Sequence, residues 1–167
     1  MDIFCDMEFT DFENPVPISL GLAAANGATL YLELSGWQPE ECSLFTQDSV
    51  LPQLEGPALS PKAAVAQLLQ WLSNLPGPVR ILADSDTDIL LLQDLVATHA
   101  PERTHLGPPM GVLFWADPEA QQQFEAIYEE LLYASPNRHH ALADALTLRD
   151  AARAVGGVIG MRVPHHR

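Results

Sequence analysis

Positive charge is what this chain has least of: 8 Lys and Arg stand against 22 Asp and Glu, a formal net charge of −14, and Lys62 is the only lysine. Residues 1 to 60 carry ten acidic side chains and no Lys or Arg, whereas six of the seven arginines fall within residues 102 to 167. Wrapping duplex nucleic acid relies on many Lys and Arg contacts to phosphate, so this balance argues against that mode. It is compatible with a small site that grips a few phosphates through metal ions. Cysteine is scarce too. Cys5 and Cys42 lie in unrelated contexts, suggest neither a disulfide framework nor a zinc-ligand spacing, and read as ordinary thiols. Long apolar runs are missing: Ile18 to Ala25 and Ile89 to Leu92 fall far below the roughly eighteen residues of a membrane span. No basic region precedes an apolar one near Asp2, Asp6 and Glu8, which argues against a secretory signal and makes a cytoplasmic location the expectation. Of the 167 residues, 47% are apolar and only 18% charged, enough for one core and unlike a disordered acidic tail. One domain spanning residues 1–167 is expected.

The apolar pattern predicts an α/β fold. Met1 to Phe9, Val16 to Ala25 and Thr29 to Leu34 read as strands, the last two forming a hairpin at Asn26-Gly27. Trp37 to Gly56 is polar and proline-bearing, and is expected to be a long irregular connection. Ser60 caps a helix with Pro61 at its first position and Ala64, Val65, Leu68, Leu69 and Leu72 on its buried face. Val79 to Ala83 then reads as a strand feeding a helix from Thr87 or Asp88, and Val112 to Trp115 as a fifth strand. Asp117-Pro118 opens a further helix, and a last one runs from about His140 to Val155, stopped by Gly156-Gly157. Strands and helices in this order give a mixed sheet covered on both faces. Trp37, Phe114 and Trp115 are read as core in preference to base-stacking platforms.

Three polar groups interrupt this pattern. Asp6 and Glu8 sit two apart on the first strand, so both carboxylates point to one face. Two acids in an apolar strand repel and resist desolvation unless they are solvated at an edge or a cation lies between them, and oxygen-only ligands suit Mg²⁺ or Mn²⁺. Asp84, Asp86 and Asp88 lie where the fourth strand passes into a helix, at a carboxyl end where ligands of open sheets gather, although helix capping accounts equally for some of them. The third group is His139-His140-Ala141-Leu142-Ala143-Asp144-Ala145, whose alanines leave room for a ligand to approach Asp144.

Taken in this order, the three groups carry a resemblance. Phe4-Cys5-Asp6-Met7-Glu8-Phe9-Thr10, Asp88 with Leu92 four residues on, and His139 with Asp144 in an H-x-A-L-x-D-A frame resemble the DEDDh 3′-5′ exonucleases of the ribonuclease H-like superfamily. The likeness is greatest to the small bacterial exoribonucleases whose first motif reads D-x-E-F. The resemblance implies a ribonuclease H-like five-stranded mixed sheet and two-metal hydrolysis, with two Mg²⁺ or Mn²⁺ ions, from the 3′ end of single-stranded RNA or short oligonucleotides. It implies Asp6, Glu8, Asp88 and Asp144 as metal ligands, His139 as general base, and Met7, Phe9 and Thr10 as substrate contacts. Asp86 rivals Asp88 as the third ligand, and His140 is a second candidate base. The implied partners are single-stranded 3′ ends and a second copy in a homodimer, with no membrane. A proofreading-type 3′-5′ exodeoxyribonuclease and a non-catalytic nucleic-acid-binding module on the same fold are the alternatives.

Overall fold

Strand β1 (Asp2–Phe9) organises the molecule through its alternation. Ile3, Cys5 and Met7 enter the core on one side of the sheet and Phe4 enters the core on the other. Asp6 and Glu8 are in phase with Phe4 and therefore share its face. The computed structural model describes residues 1–102 and 107–164; Arg103, His105 and Arg167 lie outside the described residues.

On one flank of β1 run β2 (Pro17–Ala24) and β3 (Thr29–Glu33), each antiparallel to its neighbour. On the other run β4 (Arg80–Ala83) and β5 (Met110–Trp115), both parallel to β1. Arg80 grips Asp2 with two hydrogen bonds, Nε to Oδ1 at 2.6 Å and Nη2 to Oδ2 at 3.1 Å, and so pins the β1–β4 register at its start. The sheet order is β3-β2-β1-β4-β5-β6.

β6 (Ile159–Arg162) corrects the five strands expected from the sequence to six. It pairs antiparallel with β5 directly after Gly156-Gly157, and Gly160 lies where any Cβ would strike the Phe114 ring. Four residues with a central glycine carry almost no periodic signal, so only the pairing partner makes this segment a strand.

Helices cover both faces. Helix α2 (Pro61–Ser73) and helix α3 (Asp86–His99) pack Val65, Leu68, Ile89 and Leu92 over Ile3 and Cys5. Helix α4 (Pro118–Ala134) and helix α5 (Ala141–Val155) pack Phe124, Leu148 and Ala151 over Phe4 and Leu82. Ser60 and Asp117 cap their helices as the sequence indicated, accepting from the Ala63 and Glu119 N–H groups. The stretch from Trp37 to Gly56 is more ordered than expected. It holds a short helix, α1 (Leu44–Ser49), capped by Ser43, between 3₁₀ turns at Pro39–Glu41 and Leu51–Gln53. Six residues are too few to show an amphipathic period, which hid this helix. Trp37 packs on Ile18, Cys42 and Val50, and Trp115 stacks on Phe124, so both are core. Among the described residues, no helix is long and apolar enough to cross a membrane.

One close approach sets the position of α5. Gly21 pairs with Asp6 across the β1–β2 ladder, and a Cβ at Gly21 would collide with the backbone of Ala141 and Leu142. The missing side chain lets the first turn of α5 rest on the sheet beside Asp6. Because the obstruction is backbone, no rotamer change relieves it. Gly21→Ala is expected to destabilise the protein by about 1–3 kcal/mol, read from urea unfolding; unchanged stability would show that α5 does not depend on this approach.

Candidate active site

Parallel pairing of β1 with β4, Phe4 opposite Leu82, brings the carboxyl end of β4 beside the middle of β1 just before Asp6, and the first turn of α5 rests on Gly21, the β2 partner of Asp6. Asp6 and Glu8 come from β1, Asp84 follows the last residue of β4, Asp88 lies in the first turn of α3, and Asp144 in the first turn of α5. They line a cleft of about 670 Å³ together with His139. Two donor sets form there: Asp6 with Asp84 and Asp88, and Glu8 with His139 and Asp144, each with one ligand atom per residue lying within 4.8 Å of the others.

The carboxylates are held in place by a few directed bonds. Ser85 caps α3, accepting from the Asp88 N–H at 3.2 Å and donating its hydroxyl to Asp88 Oδ2 at 2.6 Å. Tyr128, on α4, stands beside Asp84 and offsets part of the burial that raises the Asp84 carboxyl above the ordinary range, while Asp84 opens to solvent at the cleft. Asp144 Oδ2 accepts from the His139 backbone N–H at 2.8 Å. That bond holds His139 at φ 70°, a left-handed conformation uncommon for a residue with a side chain.

Two oxygens are left over. Asp6 Oδ2 and Asp144 Oδ1 are buried with no hydrogen-bond partner, and Asp144 as a whole is 6% exposed. A buried acceptor without a donor is costly, and for an ionised carboxylate more so. Burial, followed by repulsion from Asp88, Glu8, Asp144 and Asp84, holds the Asp6 carboxyl well above the ordinary range. Glu8 is pushed up to about 8 by burial and then by Asp144 and Asp88. Asp88 rises to about 7, burial outweighing its Ser85 bond, and Asp144 to about 6 despite its bond from His139. Divalent cations fit this set: they supply partners for the two orphaned oxygens and charge to offset five converging carboxylates.

The histidines diverge. His139 lines the cleft with its ring edge-on to Phe45, centroids 4.8 Å apart, and burial and then Arg138 lower its pKa. His140 turns the other way: its Nδ1 caps α5 by accepting from the Ala143 N–H, and its ring stacks on Tyr31 at 4.3 Å. Asp86 is exposed and ion-paired with Arg162 at 2.9 Å, outside both donor sets. Met7 and Phe9 line the cleft. Thr10 is 1% exposed, and its hydroxyl accepts from the Val16 N–H and donates to the Asn14 carbonyl, so its side chain shapes the loop behind the cleft.

Four residues not singled out from the sequence, Asp84, Phe12, Phe45 and Thr46, stand at the site. Asp84 belonged to the recognised acidic run but was not separated from it as a ligand. Phe12, 83% exposed, and Phe45, 53% exposed, stand at the cleft with Thr46 of α1 below them. The only sequence signal for Phe45 and Thr46 is the Ser43 cap, since Ser43 Oγ accepts from the Thr46 N–H at 3.1 Å.

No protein-family model matches the chain, and no curated protein matches it. Among solved structures, the chain is similar to ExoI of Escherichia coli in the zinc-bound form of its ssDNA complex. The match has a TM-score of 0.61 at 14% identity and covers 92% of this chain and 40% of that one. The fold is ribonuclease H-like. The chain thus spans less than half the length of the protein it resembles, and the likeness is one of architecture.

The raised carboxyl pKa values make stability pH-dependent. Between the ordinary range near 4 and the folded values, the native state binds protons that the unfolded chain has released. The metal-free fold is therefore favoured at low pH and loses that contribution as pH rises through about 6, 7 and 8 for Asp144, Asp88 and Glu8. In a chelator-containing buffer, Tm is expected to fall from about pH 5 to about pH 8, and Mg²⁺ or Mn²⁺ to raise it more at the upper end. A Tm that climbs with pH in chelator would contradict the electrostatics described.

Proposed function

We propose that this protein is a divalent-metal-dependent 3′-5′ exonuclease acting on single-stranded ends, RNA foremost. The observation that carries the reading is the meeting of five carboxylates from β1, β4, α3 and α5 with one cleft-facing imidazole, with two carboxylate oxygens buried and unpartnered. Asp6, Glu8, Asp88 and Asp144 hold the metals, with Asp84 as a further ligand. When bound, two Mg²⁺ or Mn²⁺ ions supply positive charge to the scissile phosphate and leaving oxygen and acidify the attacking water.

The protein's own groups do the rest. His139, kept neutral at neutral pH by its lowered pKa, takes the proton of the attacking water on a ring nitrogen. Ser85 and the His139 N–H orient Asp88 and Asp144, and Tyr128 stands beside Asp84. Phe12 and Phe45 offer exposed ring faces and edges at the mouth of the cleft, where terminal bases stack and a paired duplex end is awkward to admit. Single-stranded DNA is the second reading, favoured by the ssDNA bound to the E. coli ExoI neighbour. The complete set of four acids and histidine argues against a module that has lost catalysis.

Incubation with end-labelled single-stranded RNA and DNA, with Mg²⁺, Mn²⁺ or a chelator, tests this directly. Metal-dependent laddering from the 3′ end is expected, with RNA degraded faster. Asp6→Asn should lower turnover by several orders of magnitude while leaving the metal-free fold as stable or more so, because one of several crowded charges is gone. A folded, active Asp6→Asn variant, or no laddering on either polymer, would reject the reading.

Substitution of adjacent pairs separates the roles within the site. Asp88→Ala should be inactive and Asp86→Ala close to wild type, since only Asp88 enters a donor set. His139→Ala should slow turnover by roughly 10² to 10⁴, the range for loss of a general base, and His140→Ala only a few-fold. Single-turnover rates measure both comparisons, and an inactive His140→Ala enzyme of normal stability would transfer the base to His140.

A further inference from the structure

The two donor sets differ in chemistry. Asp6, Asp84 and Asp88 offer oxygen alone, whereas Glu8, His139 and Asp144 combine two carboxylates with an imidazole nitrogen. We propose that Glu8, His139 and Asp144 form a site for a transition-metal ion of the zinc class, and that filling it withdraws His139 from proton transfer. The consequence for catalysis rests on the exonuclease reading; the metal site itself does not.

Three observations converge on this set. Its ligand atoms already lie within 4.8 Å of one another, so a modest contraction brings them onto one ion. Asp144 Oδ1 is buried without a partner and belongs to a side chain 6% exposed, so an acceptor aimed into the site awaits a cation. The donors are also tied together: the His139 N–H binds Asp144 Oδ2 at 2.8 Å, and Phe45 lies edge-on against the imidazole, restricting its swing. Two carboxylates and a histidine leave an open position, the pattern of a three-ligand zinc site. Imidazole suits zinc and its neighbours in the transition series, while Mg²⁺ takes oxygen ligands and has little use for the ring.

Ligation and base catalysis exclude each other at this residue. A neutral imidazole carries one free lone pair and one N–H. Once the lone pair is given to a metal, the ring retains a donor but no acceptor. Mg²⁺ on the carboxylates leaves His139 free to act, and zinc on the mixed set removes it. The cleft thereby distinguishes metals by nitrogen ligation, and zinc acts as a brake.

The test uses the full chain freed of metal, with Zn²⁺ titrated against a chromophoric chelator, Mg²⁺ by calorimetry, and Co²⁺ as a visible-absorption probe. His139→Asn replaces the ring nitrogen by an amide oxygen, and Asn tolerates the left-handed backbone that this position requires, so the fold should persist. The variant is expected to lose at least about tenfold in Zn²⁺ affinity and to alter the Co²⁺ spectrum, with Mg²⁺ affinity held within about twofold. Independently of any variant, the isotope-labelled ring nitrogen of His139 in the wild-type chain should shift on adding Zn²⁺ and not Mg²⁺. Equal losses for both metals, an unchanged Zn²⁺ affinity, or a silent ring nitrogen would overturn the site. In Mg²⁺ buffer, added Zn²⁺ should slow hydrolysis by the wild-type enzyme and a zinc chelator restore it; full activity with the site zinc-filled would overturn the brake. Zinc binding through His139 in a protein that cuts no oligonucleotide would uphold the site and reject the exonuclease reading.

Discussion

Mutual repulsion among carboxylates crowded at the ends of β1 and β4 is the constraint on which the rest of the structure depends. Two like charges about 5 Å apart repel by roughly 3 kcal/mol even at an effective dielectric of about 20, and five such groups share this cleft. Left to itself the cluster responds by holding protons: burial first, joined by repulsion at Asp6, Glu8, Asp88 and Asp144, raises the pKa values of all four and of Asp84. A fold that keeps such a cluster at neutral pH is built around positive charge supplied from outside, because among the described residues no Lys or Arg lines the cleft.

Everything around the cluster serves to hold it in place. Apolar packing on both faces fixes the sheet, with Ile3 and Cys5 against α2 and α3 and Phe4 against α4 and α5. The Asp2–Arg80 pair sets the parallel register that brings the end of β4 beside the middle of β1. Gly21 admits the first turn of α5, and with it Asp144, to within reach of Glu8. Ser85 and the His139 backbone each satisfy one carboxylate, while Asp6 Oδ2 and Asp144 Oδ1 stay open to whatever enters the cleft. Rigid elements thus deliver Asp6, Glu8, Asp88 and Asp144, while Asp84 sits in the bend after β4 and His139 in the turn before α5.

On the exonuclease reading, the same arrangement would let an acidic chain receive an anionic strand. Net charge acts at long range and is screened by salt, whereas cations bound among the carboxylates act at contact distance where screening is weak. Phe12 and Phe45 add an apolar rim that costs no charge, held by α1 through the Thr46 hydroxyl, which donates to the Thr10 carbonyl at 3.0 Å. Recognition in such a cleft rests on metal, stacking and shape at one end of a strand, and not on a basic track along its length.

Local physics made much of this legible in the sequence. A period of two places Asp6 and Glu8 on one face whatever else happens, and Ser60-Pro61, Asp117-Pro118 and Gly156-Gly157 mark helix ends because caps depend on neighbouring residues alone. The order of elements along the chain, helix coverage and the candidate acids followed from such signals. Properties that depend on a distant partner were not legible. β6 exists because β5 offers it an edge, and α1 because Ser43 and Thr46 bond to each other and to the loop after β1. Choosing Asp88 and Asp84 over Asp86 depends on which way the first turn of α3 faces, and on Tyr128, forty-four residues from Asp84, reaching it. The division between His139 and His140 turns on a single left-handed residue held by Asp144. The sequence alone determined which residues could carry charge to the end of the sheet; only tertiary structure decided which of them meet, because repulsion and burial are properties of distance in space.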